Sequence, residues 1–199
     1  MADIKKANTA YIRKWEGGAS SDPRDPASHD PCPGWFLGKY PVHTNMGITW
    51  ASFKANCPTF GYKPTKELFQ KMPDEVWRSI YEHGYWAAVR AGEIPSQAIG
   101  EFMADWGWGS GPGTAIGYLQ KAIQKYYTPS QPVTQMFGPV TMGNLTSWIK
   151  VKGEYEVFQK LYADRTAFLA SLPQYKIYGP GWMNRMRDFK AYAESILKK

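Results

Sequence analysis

The chain has 199 residues, enough for one compact domain or for a catalytic region with a smaller appendage sharing its core. Its composition is 43% hydrophobic and 21% charged, which excludes a disordered chain. A net charge of +7 favours a polyanionic partner, but the basic residues are spread out rather than gathered into an arm, so nucleic-acid binding is not expected. No apolar run reaches the length of a membrane span, and Met1–Lys6 lacks the apolar core of a secretory signal. Cys32 and Cys57 are the only cysteines, and free thiols are expected.

In chain order, Ile4, Ala7, Tyr11, Ile12 and Trp15 recur at three- and four-residue intervals, predicting a helix over residues 3–16 that stops at Gly17-Gly18. Ala19 to Thr44 is rich in Pro, Gly, Asp and Ser and reads as a long structured loop, with any small sheet nearby. Helical signals return at Thr49–Lys54, and Thr65 and Asp74 mark two more helix starts, the second carried on by Ile80, Tyr81, Tyr85 and Trp86. Ser96 to Trp106 predicts a further helix, broken by the glycines of residues 107–113, where a soft boundary falls. Helices then follow at Thr114–Tyr126, Val140–Val151, Glu154–Leu172 and from about Met183 to Leu197. The fold class is mainly α.

A carboxyl able to act as a general acid is best sought where its charged form is disfavoured. Glu16 fits, because the partial negative charge at a helix C-terminus opposes a carboxylate and Trp15 lies beside it. The same residue also reads as an exposed glutamate on a capped helix. Asp22 and Asp25 precede prolines and suit turn starts as well as a second carboxylate role. Asp105 sits among Phe102, Trp106 and Trp108, where a charge must be paired or used. His29, Cys32, His43 and Cys57 could in principle form a tetrahedral metal set, but without paired ligand spacing no metal or cofactor is expected. Phosphate-loop, dinucleotide and serine-nucleophile patterns do not occur.

Glu16-Gly17-Gly18, the Asp-rich stretch Asp22–Asp25 and Thr44-Asn45-Met46-Gly47-Ile48-Thr49 together resemble the N-terminal signature of family-108 glycoside hydrolases. Tyr85-Trp86, Asp105–Gly111, Leu119-Gln120, Gly138-Pro139-Val140-Thr141 and Gly181–Arg185 continue the resemblance in order along the chain. It implies a lysozyme-like helical fold: a catalytic region over residues 1–108, and over 109–199 a helical region similar to the family's peptidoglycan-binding domain. It further implies hydrolysis of β-1,4 bonds between N-acetylmuramic acid and N-acetylglucosamine by a monomer that does not insert into membranes. Glu16 would be the acid, with Asp25 and Thr44 also catalytic and Asp105, Tyr85, Trp86 and Gly47 meeting substrate. Without a signal, such an enzyme would be released by a holin or a secretion machine.

Two departures stand out. The family's usual short Asp-x-x-Gly-Gly-x-Thr loop is replaced, with Ala27–His43 separating Asp25 from Thr44. Thr134-Gln135 stand where the family has Asp-Gly. The competing reading is a non-catalytic wall-binding or secretion-associated protein that keeps the fold.

Overall fold

The computed structural model describes residues 1–197, with Ala10 described in its backbone only. The described residues are mainly α, with two small antiparallel sheets, in agreement with the expected lysozyme-like class. They form two compact units, one of Asn8–Glu82 and the other of Met1–Ala7 with the chain from His83 onward.

In the Asn8–Glu82 unit, helix α1 (Thr9–Glu16) is shorter than its apolar pattern predicts. Ala7 is extended, and the Asn8 side chain accepts from the Tyr11 N–H at 3.1 Å, so a cap intrudes where the periodicity runs on. Gly17 ends the helix at φ 58°, ψ −150°, a region open almost only to glycine, and turns the chain into β1 (Ala19–Ser20). The loop beyond it carries a hairpin, β2 (Phe36–Leu37) and β3 (Tyr40–Pro41), before the chain returns in β4 (Thr44–Asn45) and β5 (Ile48–Thr49). The main sheet has the order β1-β4-β5, with Ser20 opposite Thr44 and Asn45 opposite Ile48.

Helices α2 (Trp50–Asn56), α3 (Lys66–Gln70) and α4 (Asp74–Tyr81) close this unit, the first two capped by Thr49 and Thr65. Its core joins Trp50, Phe53 and Phe69, whose rings lie 4.9–5.7 Å apart, with Val76, Trp77 and Ile80 also buried.

A π-helical turn, Glu82–Trp86, follows α4; in the other unit α5 (Gln97–Ser110) packs against α6 (Pro112–Tyr126), α8 (Glu154–Ser171) and α9 (Tyr175–Ile196), and α7 (Pro139–Lys152) against α6 and α8. Helix α5 is buried continuously from Ala98 to Gly107, as a helix enclosed on all sides should be. Phe102 meets Phe158 and Phe189 at 5.3 and 5.4 Å.

The glycines at 107–109 do not interrupt α5. A β-carbon on Gly107 would stand 3.3 Å from Val89 and 3.5 Å from the backbone of Pro112, so this glycine serves close packing inside the corner between α5 and α6. The expected soft boundary at 107–114 therefore falls within one compact unit. Helix α9 likewise starts before the expected Met183 and runs through Pro180, with the Tyr175 ring covering Gly179. No described helix is long and apolar enough to cross a membrane.

Candidate active site

Glu16 is the last residue of α1 and is half-buried. The turn at Gly17 sets β1 directly after it, and β1 pairs with β4, so the helix end and the β4–β5 hairpin are joined by strand hydrogen bonds. Met46 N–H adds a bond to the Gly18 carbonyl at 3.3 Å. The hairpin turns on Met46 and Gly47, at φ 51° and 75°; positive φ at both central positions matches the twist of the flanking strands. Gly47 faces the Glu16 side chain so closely that an added β-carbon would lie 2.2 Å from Oε2. The helix end and the hairpin thus bring Glu16 and Gly47 together, with Thr44 on the strand that enters the turn.

Several side chains hold this arrangement. Trp77 on α4 donates from Nε1 to the Met46 carbonyl at 2.9 Å, and Asn45 donates from Nδ2 to the Phe69 carbonyl at 2.7 Å. Arg13 on α1 pairs with Asp74 on α4 and lies over the Trp77 ring, 5.6 Å from its centroid. The Arg78 hydrogen bond, with the charges of Arg78 and Arg13, holds the Asp74 carboxyl below its usual range.

His43 is fully buried directly before Thr44, with Nδ1 2.9 Å from Thr44 Oγ1 and Nε2 3.1 Å from the Asp22 carbonyl. In the sequence alone His43 reads only as a candidate metal ligand, since nothing local marks its ring as facing Thr44. Among the described residues no three His, Cys, Asp or Glu side chains gather as a metal site would require.

Asp25 caps a 3-10 turn, Pro26–His29, by accepting from the Ala27 N–H at 2.9 Å. Asp22 is paired with Arg24 at 2.7 Å. Both act locally as turn residues while remaining in the loop that leaves β1.

The other expected substrate residues belong to the second unit. Asp105 is 1% exposed; Arg165 donates to Oδ2 at 2.7 Å and Arg185 to Oδ1 at 2.6 Å, so both carboxylate oxygens are engaged. Burial pushes this carboxyl upward, but the guanidinium charges of Arg185 and Arg165 outweigh it, leaving the group below its usual range. The pairing demanded by an aspartate among aromatic rings is thus met by two arginines from distant helices, which no local pattern marks. Trp86 is buried beside Gly92, and the half-buried Tyr85 ring lies 4.7 Å from that of Trp108.

The described residues thus form a mainly α fold of the lysozyme-like class, with a glutamate at a helix end against a small β-hairpin. The chain belongs to the glycosyl hydrolase 108 family, whose model matches residues 9–111, and it is accordingly a glycoside hydrolase. Its fold is similar to that of Brucella abortus SagA, with a TM-score of 0.73 at 23% identity over 98% of this chain and 96% of that one. No curated protein sequence matches it.

Proposed function

We propose that this chain is an N-acetylmuramidase that cuts the β-1,4 bond between N-acetylmuramic acid and N-acetylglucosamine in peptidoglycan, with Glu16 as the general acid. The observation that carries this reading is the seat of the Glu16 carboxyl at the end of α1, against the bare backbone of Gly47. Only a glycine leaves room for the acid there, since a β-carbon would collide with its carboxyl. The family match over residues 9–111 and the charge of +7, suited to an anionic wall, support the same substrate.

In this reading Glu16 protonates the glycosidic oxygen as the bond to the anomeric carbon breaks, and its carboxylate remains. The Thr44 hydroxyl orients the water that completes the hydrolysis, and Asp25 supplies the second carboxylate. A carboxyl separation of about 5 Å would make the reaction retaining, and about 6.5–9.5 Å inverting.

Purified peptidoglycan digested with the wild type and with Glu16→Gln tests the assignment. The wild type should release fragments that end in reducing muramic acid, and Glu16→Gln should release almost none. Fragments ending in reducing glucosamine would reject the muramidase bond, and equal release by both proteins would reject Glu16 as the acid.

A further inference from the structure

His43 lies outside the set of groups that handle the glycosidic bond, yet it touches Thr44 from inside the protein. The side chain is fully buried and its backbone is fixed on both sides, the N–H donating to the Ser20 carbonyl at 3.0 Å and the carbonyl accepting from Trp50 N–H at 2.8 Å. Ring Nε2 lies 3.1 Å from the Asp22 carbonyl oxygen, and Nδ1 lies 2.9 Å from Thr44 Oγ1. A carbonyl oxygen can only accept, so Nε2 must carry a hydrogen. In the neutral ring Nδ1 then holds a lone pair, and the Thr44 hydroxyl must donate to it.

We propose that His43 is a positioning residue for glycan cleavage: it takes up the Thr44 hydroxyl hydrogen and so presents Thr44 Oγ1 to the reacting groups as an acceptor only. This rests on the reading of Glu16 and Thr44 given above. A hydroxyl has one hydrogen and two lone pairs, so its direction is set by whichever neighbour captures that hydrogen. With the hydrogen turned inward, Oγ1 can accept from a water or a sugar hydroxyl, and a water that donates to it keeps an oxygen lone pair for attack. A ring protonated at both nitrogens would reverse the Thr44 bond and turn its hydrogen outward. Through Nε2 the same ring ties Thr44 to Asp22, joining the point where the long loop leaves the sheet to the point where it returns.

Long-range nitrogen–proton NMR on the full chain reads the ring directly. The expected spectrum is that of a neutral imidazole protonated at Nε2 and bare at Nδ1; a hydrogen on Nδ1 overturns the proposal.

Two variants separate positioning from packing. His43→Gln can place an amide nitrogen near the Nε2 position, keeping the Asp22 bond and removing the acceptor for Thr44. His43→Asn can place an oxygen near the Nδ1 position, keeping that acceptor and losing the tie to the loop. The expected result is a drop in kcat of about tenfold in His43→Gln at unchanged KM, the scale of one lost hydrogen bond. His43→Asn should retain more kcat while losing more in Tm. Thr44→Val should then cost less in the His43→Gln background than in the wild type, as expected of two residues that act through one hydrogen bond.

Losses of kcat that simply follow Tm in both variants, or no loss in His43→Gln, overturn the positioning role while leaving the muramidase reading intact. A wild type that releases no reducing ends overturns both. Should the variants fail to fold, the wild-type NMR tautomer decides.

Discussion

Glu16 and Gly47 are in such close apposition that no side chain fits between them: a β-carbon on Gly47 would lie 2.2 Å from Glu16 Oε2, 2.7 Å from Cδ and 2.9 Å from Cγ. Gly47 also holds φ 75°, where an L-residue is strained. Gly47→Ala should therefore destabilise the fold by about 1–2 kcal/mol from backbone strain alone. It should also displace the Glu16 carboxyl, lowering kcat by about a hundredfold, the scale of a misplacement near 1 Å. Reducing-end kinetics beside a thermal melt check this, and wild-type kcat in a folded Gly47→Ala protein would show that the contact is not needed for catalysis.

The hairpin that carries Gly47 is anchored from α4 by the bond from Trp77 Nε1 to the Met46 carbonyl. Trp77→Phe keeps an aromatic ring near Arg13 but removes the donor. The expected loss is about 1–3 kcal/mol for a carbonyl left without its partner, read as a lower urea midpoint. Activity should fall too, since the freed turn holds Gly47. An unchanged midpoint would mean that the bond contributes nothing net.

Asp105 with Arg165 and Arg185 forms a buried triad within the second unit. Asp105→Asn leaves two enclosed guanidinium groups without their shared carboxylate and should cost about 3–5 kcal/mol. The pH dependence follows from the lowered carboxyl. The unfolded chain binds a proton at Asp105 more readily than the folded one, so the contribution is complete above about pH 4 and is lost as pH falls through the folded value. Wild-type Tm should decline on acidification below about pH 4, and Asp105→Asn should flatten part of that decline. Parallel acid profiles for the two proteins would contradict the assignment.

Both thiols are buried, Cys32 at 1% and Cys57 at 0% exposure. Burial pushes Cys57 up to about 11 and, against partial compensation from Lys66, raises Cys32 as well. Thiolate is the reactive form, so alkylation by iodoacetamide near pH 8 should be slow in the native protein and fast after unfolding. Rapid native labelling of either cysteine, read by mass spectrometry, would reveal an opening in the Asn8–Glu82 core.

The periodic apolar pattern was sufficient to read the mainly α class and most of the helices, because a buried stripe leaves its spacing in the chain whatever it packs against. It failed where local detail overrides periodicity. At Asn8 a capping side chain starts the helix afresh after the extended Ala7, and at Gly107 a glycine that looks like a helix stop serves the close approach of Pro112. Glu16, Thr44 and Gly47 could be named from their motif, since a signature concentrates its information in adjacent residues.

What adjacency cannot supply is the direction in which each side chain is held. That His43 Nδ1 meets the Thr44 hydroxyl from within, that Trp77 fixes the Met46 carbonyl, and that Arg165 and Arg185 close on Asp105 all depend on contacts between residues far apart in the chain or on the inward turn of a ring. By itself the sequence determined the helical class, the capped ends and the residue types available for acid chemistry. Only the tertiary structure decided which of those groups are aimed at one another, because hydrogen bonds and ion pairs form in space and leave no period along the chain.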